Sequence, residues 1–160
     1  MQDLVSELVV LLEEKNLKLA TAESCTGGLL AATLTQKPGV SRVFERGFVT
    51  YSNEAKIEML NVSAALIAGK GAVSAEVASA MARGALINSR ADVAVSITGI
   101  AGPDGGTPDK PVGLVHFGCA MKNGYTSRIE RRFSGTRQEI QIEAVITALQ
   151  GLIAAVKAQP

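Results

Sequence analysis

Four segments of this 160-residue chain combine nucleophiles or cations with glycine in ways that can serve chemistry. The first is Thr21-Ala22-Glu23-Ser24-Cys25-Thr26-Gly27-Gly28, a serine beside a cysteine with two glycines following. The hydroxyl and the thiol are potential nucleophiles, and glycine lets another group approach the backbone closely. If the segment leaves a strand and enters a helix, the unpaired amides and positive dipole end at that start can hold a phosphate or a developing oxyanion. Ser24 reads equally well as a plain helix cap, with the glycines easing a turn. The segment is neither a Walker motif nor a dinucleotide fingerprint, because it lacks the glycine spacing and the Lys-Ser/Thr ending of those motifs.

The second segment, Gly47-Phe48-Val49-Thr50-Tyr51-Ser52-Asn53-Glu54-Ala55-Lys56, reads as a strand running into a helix. A helix beginning near Asn53 puts Lys56 in its first turn, where the dipole disfavours a cation and helps lower its pKa. A neutral lysine can act as general base to a serine. The plain alternative packs Tyr51 at a sheet edge and leaves Lys56 solvated beside Glu54. The third segment, Thr98-Gly99-Ile100-Ala101-Gly102-Pro103-Asp104-Gly105-Gly106-Thr107-Pro108, is long and glycine-rich, as binding loops often are. Asp104 and Asp109 could bind a metal, but no histidine accompanies them and they read as solvated. The fourth is Phe133-Ser134-Gly135-Thr136-Arg137, which places a guanidinium at the amino end of a helix, suited to a doubly hydrogen-bonded phosphate or simply to the surface. His116, the only histidine, falls mid-strand and reads as a packed or edge residue.

The elements that must position these groups follow from periodicity. Leu4, Val5, Leu8, Val9, Leu11 and Leu12 recur at helical spacing, and Leu17 to Ala22 reads as the strand that follows. Gly27-Gly28 opens a helical run that Pro38-Gly39 ends. Phe44 to Tyr51 is the next strand; Asn53 to Leu60, Ser63 to Lys70 and Ser74 to Ser89 are helical, with Ser74 placed as a cap. Val93 to Thr98 is a buried strand, and Gly113 to Met121 with Tyr125 to Phe133 forms a hairpin about Asn123-Gly124. Thr136 and Glu139 make a capping box for a long last helix. The pattern predicts a single α/β domain over residues 1–160, a three-layer α/β/α sandwich on a mixed, mostly parallel sheet.

Composition narrows the function. With 47% hydrophobic but only 4% aromatic residues, the core is aliphatic and the chain is not disordered. A net charge of +1 gives no broad footprint for nucleic acid, and Arg128, Arg131 and Arg132, interrupted by Glu130, read as a solvated strand face. Cys25 and Cys119 form neither a disulfide framework nor a metal clip. The start shows no signal-peptide pattern, and the apolar run after Gly135 is interrupted by Glu139, Gln141, Glu143 and Gln150. A cytoplasmic address with no membrane or nucleic-acid partner is expected, and a small aliphatic-rich domain suits a homodimer.

Taken in order, ESCTGG at Glu23 to Gly28, ERGFVTYSNEAK at Glu45 to Lys56, ITGIAGPDGG at Ile97 to Gly106 and FSGTRQEIQ at Phe133 to Gln141 make the chain resemble, over nearly its whole length, the CinA carboxyl-terminal domain family. Stand-alone members of that family look like nicotinamide mononucleotide (NMN) amidohydrolases, which form nicotinic acid mononucleotide and ammonia in pyridine-nucleotide recycling. Longer members add an amino-terminal domain resembling molybdopterin-binding proteins; activities tied to that domain, such as ADP-ribose pyrophosphatase, are not expected of this chain.

The resemblance implies Ser24 as nucleophile, Lys56 as base and Tyr51 as the group that orients or relays between them. It implies backbone amides of Cys25, Thr26, Gly27 and Gly28 around the oxyanion. Asn53, Thr98, Gly99, Ala101, Gly102, Gly105 and Arg137 would hold the pyridine nucleotide, with no metal and no organic cofactor. A helix-end charge effect of about 0.3 to 1 kcal/mol is small for a phosphate, which favours a dedicated arginine. Cys25 is the rival nucleophile, and a non-catalytic nucleotide- or partner-binding module is the rival function.

Overall fold

Along the computed structural model, which describes residues 1–160, helices and strands follow the order α1 (Gln2–Glu14), β1 (Leu19–Glu23), α2 (Leu29–Thr35), β2 (Phe44–Val49), α3 (Asn53–Leu60), α4 (Ala64–Lys70), α5 (Ala75–Ile87), β3 (Val93–Gly99), β4 (Leu114–Met121), β5 (Thr126–Arg132) and α6 (Arg137–Lys157). The sheet order is β2-β1-β3-β4-β5. β1 pairs parallel with β2 and β3, while β4 pairs antiparallel with β3 and β5. Four strands therefore point one way and β4 alone runs against them, so the sheet is mixed, with its parallel pairings confined to β2, β1 and β3.

Alternation along the central strands separates two cores. Val93, Val95 and Ile97 of β3 face the larger one, with Val5, Leu8 and Leu12 of α1, Leu30 and Leu34 of α2, and Leu149, Leu152 and Val156 of α6. Ala20, Ala22 and Ala94 face the smaller one, with Leu60 of α3, Ile67 of α4, and Val77 and Met81 of α5. Small side chains on that face let α5 lie close to the sheet: a Cβ on Gly118 would meet the Ala78 carbonyl at 2.5 Å. The result is the three-layer arrangement that the periodicity predicts.

Local signals act as their chemistry requires. Ser74 accepts from the Val77 amide, and Thr136 with Glu139 forms a complete capping box at α6. Gly124 takes φ 93° in the hairpin turn. α6 is long and apolar enough to cross a membrane, yet its apolar stripe is buried in the larger core. Several boundaries differ from expectation by one or two residues, as at β2, which ends at Val49 and not at Tyr51. β1 starts at Leu19, because Asn16 (φ 52°) turns the chain and the Lys18 amide donates to Asp92 instead of entering a ladder. β1 also runs on through Glu23, a residue whose charge disguises it as loop. A short 3-10 turn at Val40–Arg42 follows Gly39 and carries no periodic signal.

Candidate active site

Parallel register brings the reactive segments together. Glu23 lies opposite both Val49 and Ile97, so the chain leaves β1, β2 and β3 at one level, the carboxyl edge where open α/β sheets bind ligands. The Ser24 amide donates to the Ile97 carbonyl at 2.9 Å and the Thr50 amide to the Glu23 carbonyl at 2.8 Å, which fixes both exits relative to one another. Ser52 caps α3 by accepting from the Ala55 amide at 3.0 Å, so Lys56 stands in the first turn. There its side chain points inward: Lys56 is only 1% exposed.

Lys56 Nζ lies 2.9 Å from Ser24 Oγ, 3.0 Å from the Thr50 carbonyl and 3.3 Å from the Tyr51 carbonyl. A neutral amine has two N–H groups and one lone pair. Two carbonyls can take the N–H groups and leave the lone pair facing the serine hydroxyl, the arrangement a general base needs. Burial pulls the Lys56 pKa below the ordinary lysine value of 10.5, opposed by the nearby Cys25 thiol. The solvated reading of Lys56 is thereby replaced by a buried one.

The entrance to α2 is built differently. Glu23 is fully buried, and its carboxylate accepts from the Thr26 hydroxyl at 2.7 Å and from the Leu30 and Ala31 amides at 2.8 and 3.0 Å. The positive end of α2 is thus answered from within the protein, and no phosphate need be called on to satisfy it. Thr26 is turned towards Glu23, while Gly27 (φ 60°) and Gly28 (φ 103°) form the turn, where a Cβ on Gly28 would press Val49 at 3.3 Å. None of these three lines the cleft, so any part they play towards a substrate falls to their backbone amides and not to their side chains. The amides of Cys25 and Thr26 donate to no backbone carbonyl. Cys25 does line the cleft, but burial pushes its thiol up to about 12, far from a reactive thiolate.

The cleft above these groups has a volume of about 290 Å³. It brings together Ser24, Cys25, Tyr51, Asn53, Lys56, Thr98, Gly99, Ala101, Gly102, Gly105 and Arg137. Arg137, the first residue of α6, donates from Nη1 to the Gly102 carbonyl at 2.7 Å and from Nη2 to the Tyr51 hydroxyl at 2.8 Å. Its remaining N–H groups are available to an anion. Tyr51 is 60% exposed, and its hydroxyl is engaged by Arg137, whereas it meets Lys56 only through its backbone carbonyl. A relay through the phenol between Ser24 and Lys56 has no place, since those two groups already touch.

Ile100 and Asp104 of the glycine-rich loop also line the cleft, as do Ala72 and Val73, which nothing in the sequence singled out. The Thr98 hydroxyl donates to the Ala72 carbonyl at 2.9 Å, tying the turn before α5 to the cleft wall. His116 is 8% exposed with Nδ1 unpartnered, its pKa lowered by burial, and it stands outside the cleft as a packed residue. His, Cys, Asp and Glu side chains nowhere form a group of three that could hold a metal ion.

Comparison with known proteins matches this architecture throughout. The family model for the CinA C-terminal domain matches residues 1–156. A protein named nicotinamide-nucleotide amidohydrolase PncC, from Enterobacter agglomerans, is 47% identical over 150 residues, covering 94% of this chain and 92% of its own. A CinA-like protein from Citrifermentans bemidjiense is 52% identical over 152 residues, 94% of this chain but 36% of its own. The chain likewise spans about a third of the length of two competence-damage inducible relatives from Caldicellulosiruptor. Among solved structures, the competence/damage inducible protein CihA from Agrobacterium tumefaciens superposes with TM-score 0.94 at 47% identity, covering 96% of this chain and 93% of that one. The competence damage-inducible protein A (ComA) from Klebsiella pneumoniae gives 0.95 at 35% identity, covering 99% and 98%. Sequence and fold agree: the chain belongs to the CinA C-terminal domain family.

Proposed function

We propose that this protein is a nicotinamide mononucleotide amidohydrolase that works through a Ser24–Lys56 pair. The observation that carries the reading is the buried Lys56 Nζ at 2.9 Å from Ser24 Oγ, with two backbone carbonyls to take its N–H groups. The name of the full-length Enterobacter agglomerans relative supports the choice of substrate.

In this mechanism Lys56 takes the Ser24 proton as Oγ bonds to the carboxamide carbon, and the carbonyl electron pair moves onto oxygen. The amides of Cys25 and Thr26 donate to that oxygen. Collapse breaks the C–N bond, and Lys56 returns its proton to the departing ammonia. Water, deprotonated by Lys56, then attacks the acyl-serine; the acyl C–Oγ bond breaks, Lys56 returns the proton to Ser24 Oγ, and nicotinic acid mononucleotide is released. Arg137 holds the phosphate with its free N–H groups, supported by the loop that carries Gly99, Ala101, Gly102 and Gly105.

The test is ammonia release from NMN by purified protein in excess chelator, with Ser24→Ala alongside. The expected result is turnover that survives chelation and falls by at least about a thousandfold in the variant, the scale of losing a nucleophile. Tight binding of NMN without ammonia would replace the amidase with a nucleotide-binding module.

A further inference from the structure

The mechanism above leaves one fully buried ionisable group unused. Glu23 directly precedes the nucleophile on the chain, at the last position of β1, and faces the larger core beneath α2. A carboxylate there is costly unless it is hydrogen-bonded, and it has three donors: the Thr26 hydroxyl and the amides of Leu30 and Ala31.

These donors have a common effect. Thr26 is drawn down towards the carboxylate and α2 is anchored by its first-turn amides, so the chain between them must turn tightly through Gly27 and Gly28. The Gly27 amide closes that turn on the Ser24 carbonyl at 3.0 Å. Gln141 of α6 holds the opposite side, donating to the Cys25 carbonyl at 2.9 Å. With the Cys25 carbonyl held by Gln141 and the Thr26 side chain by Glu23, the peptide between them is clamped at both ends. The amides of Cys25 and Thr26 are left with no backbone partner beside Ser24.

We infer that Glu23 is a positioning residue: its buried carboxylate fixes the Ser24–Thr26 turn so that the Cys25 and Thr26 amides are held ready for the oxyanion. It touches neither substrate nor Lys56, and its influence passes through Thr26 and the start of α2. This rests on the serine-nucleophile reading but not on the identity of the amide substrate.

The prediction separates catalysis from binding. Oxyanion donors act on the transition state, so loosening them lowers kcat and leaves KM nearly unchanged. Glu23→Gln keeps the shape and one acceptor oxygen but turns the other into a donor facing amides. Thr26→Val removes only the hydroxyl that Glu23 accepts from, and Thr26→Ser restores it.

The experiment measures two things on wild type and these variants: steady-state NMN hydrolysis, and acylation of Ser24 by a small activated ester followed by intact mass. Glu23→Gln is expected to slow both by about 10- to 100-fold, somewhat less than outright removal of a donor, with KM unchanged. Thr26→Val should follow in the same direction, and Thr26→Ser should recover near wild-type rates. If Glu23→Gln does not fold, the Thr26 pair alone decides. Equal acylation rates in wild type and Glu23→Gln, or in the two Thr26 variants, overturn the proposal, as does a wild-type Ser24 that the ester does not acylate. Wild-type protein that is acylated with these differences but releases no ammonia from NMN sustains the role of Glu23 and discards the NMN reading alone.

Discussion

The chain leaves two neighbouring parallel strands, β1 and β2, and enters α2 and α3, yet the two entrances treat charge in opposite ways. At α2 a buried carboxylate, Glu23, meets the positive end of the helix, as electrostatics favours. At α3 a cation, Lys56, is buried in the first turn, where electrostatics disfavours it, and backbone carbonyls serve as its acceptors. The first arrangement stabilises and rigidifies; the second leaves a group in a state it would readily abandon. In the proposed mechanism one entrance supplies a fixed nucleophile and the other a poised base.

After Ser24 itself, substitution of Lys56 at the second entrance should have the largest effect. Replacing Lys56 by Met, of similar length and without charge, is expected to lower kcat by about 10²- to 10⁴-fold, the usual contribution of a general base. The protein should stay folded, because an apolar side chain suits a buried site. In wild type the base must be neutral, so kcat/KM should rise with pH as Lys56 loses its proton, with a midpoint below the ordinary lysine value of 10.5. A midpoint at or above that value would show that burial does not weaken the ammonium, and the contrast between entrances would be lost.

Arg137 comes next. Arg137→Ala removes the hydrogen bond to the Gly102 carbonyl and, in the proposed mechanism, those to the phosphate, and should raise KM for NMN by about 10- to 100-fold. The effect should shrink on the riboside that lacks the phosphate; equal losses on both would assign Arg137 to loop support alone. Tyr51→Phe, which removes the partner of Arg137, should raise KM by roughly two- to tenfold with kcat unchanged. A large fall in kcat would restore the phenol as a relay.

The smallest effect belongs to the first entrance. Cys25→Ala should stay within about threefold of wild-type turnover, the equivalent of one weak hydrogen bond of about 0.6 kcal/mol. A thiol pushed up to about 12 should also resist alkylation at neutral pH. Rapid alkylation coupled to loss of activity would make Cys25 the nucleophile.

Much of the frame could be read from pattern alone, because its signals are local: the capping box of α6, the Asn-Gly hairpin turn, the Ser74 cap and the β-branched run of β3 each lie within a few residues. The site was less legible where it depends on distance along the chain. Lys56 follows Glu54 in a short helix with polar residues on most sides, so nothing nearby reveals that it is buried against Ser24, 32 positions away. Tyr51 finds its hydroxyl partner 86 positions away. Glu23 was hidden for another reason: average hydropathy places glutamate outside, and the donors that make its burial favourable, the Thr26 hydroxyl and two amides of α2, come together only in the folded chain.

The parallel pairing of β1 with β2 also bears on how such a domain can change over evolution. Ser24 and Lys56 are set by the register of these two strands, locked by the bond from the Thr50 amide to the Glu23 carbonyl. The glycine-rich wall of the cleft hangs instead from the connection between β3 and β4, on the other side of β1. Insertions or exchanges in that connection leave the β1–β2 register untouched. In the proposed enzyme the wall that meets the substrate is therefore separable from the reactive pair, and could be exchanged as a module without moving it.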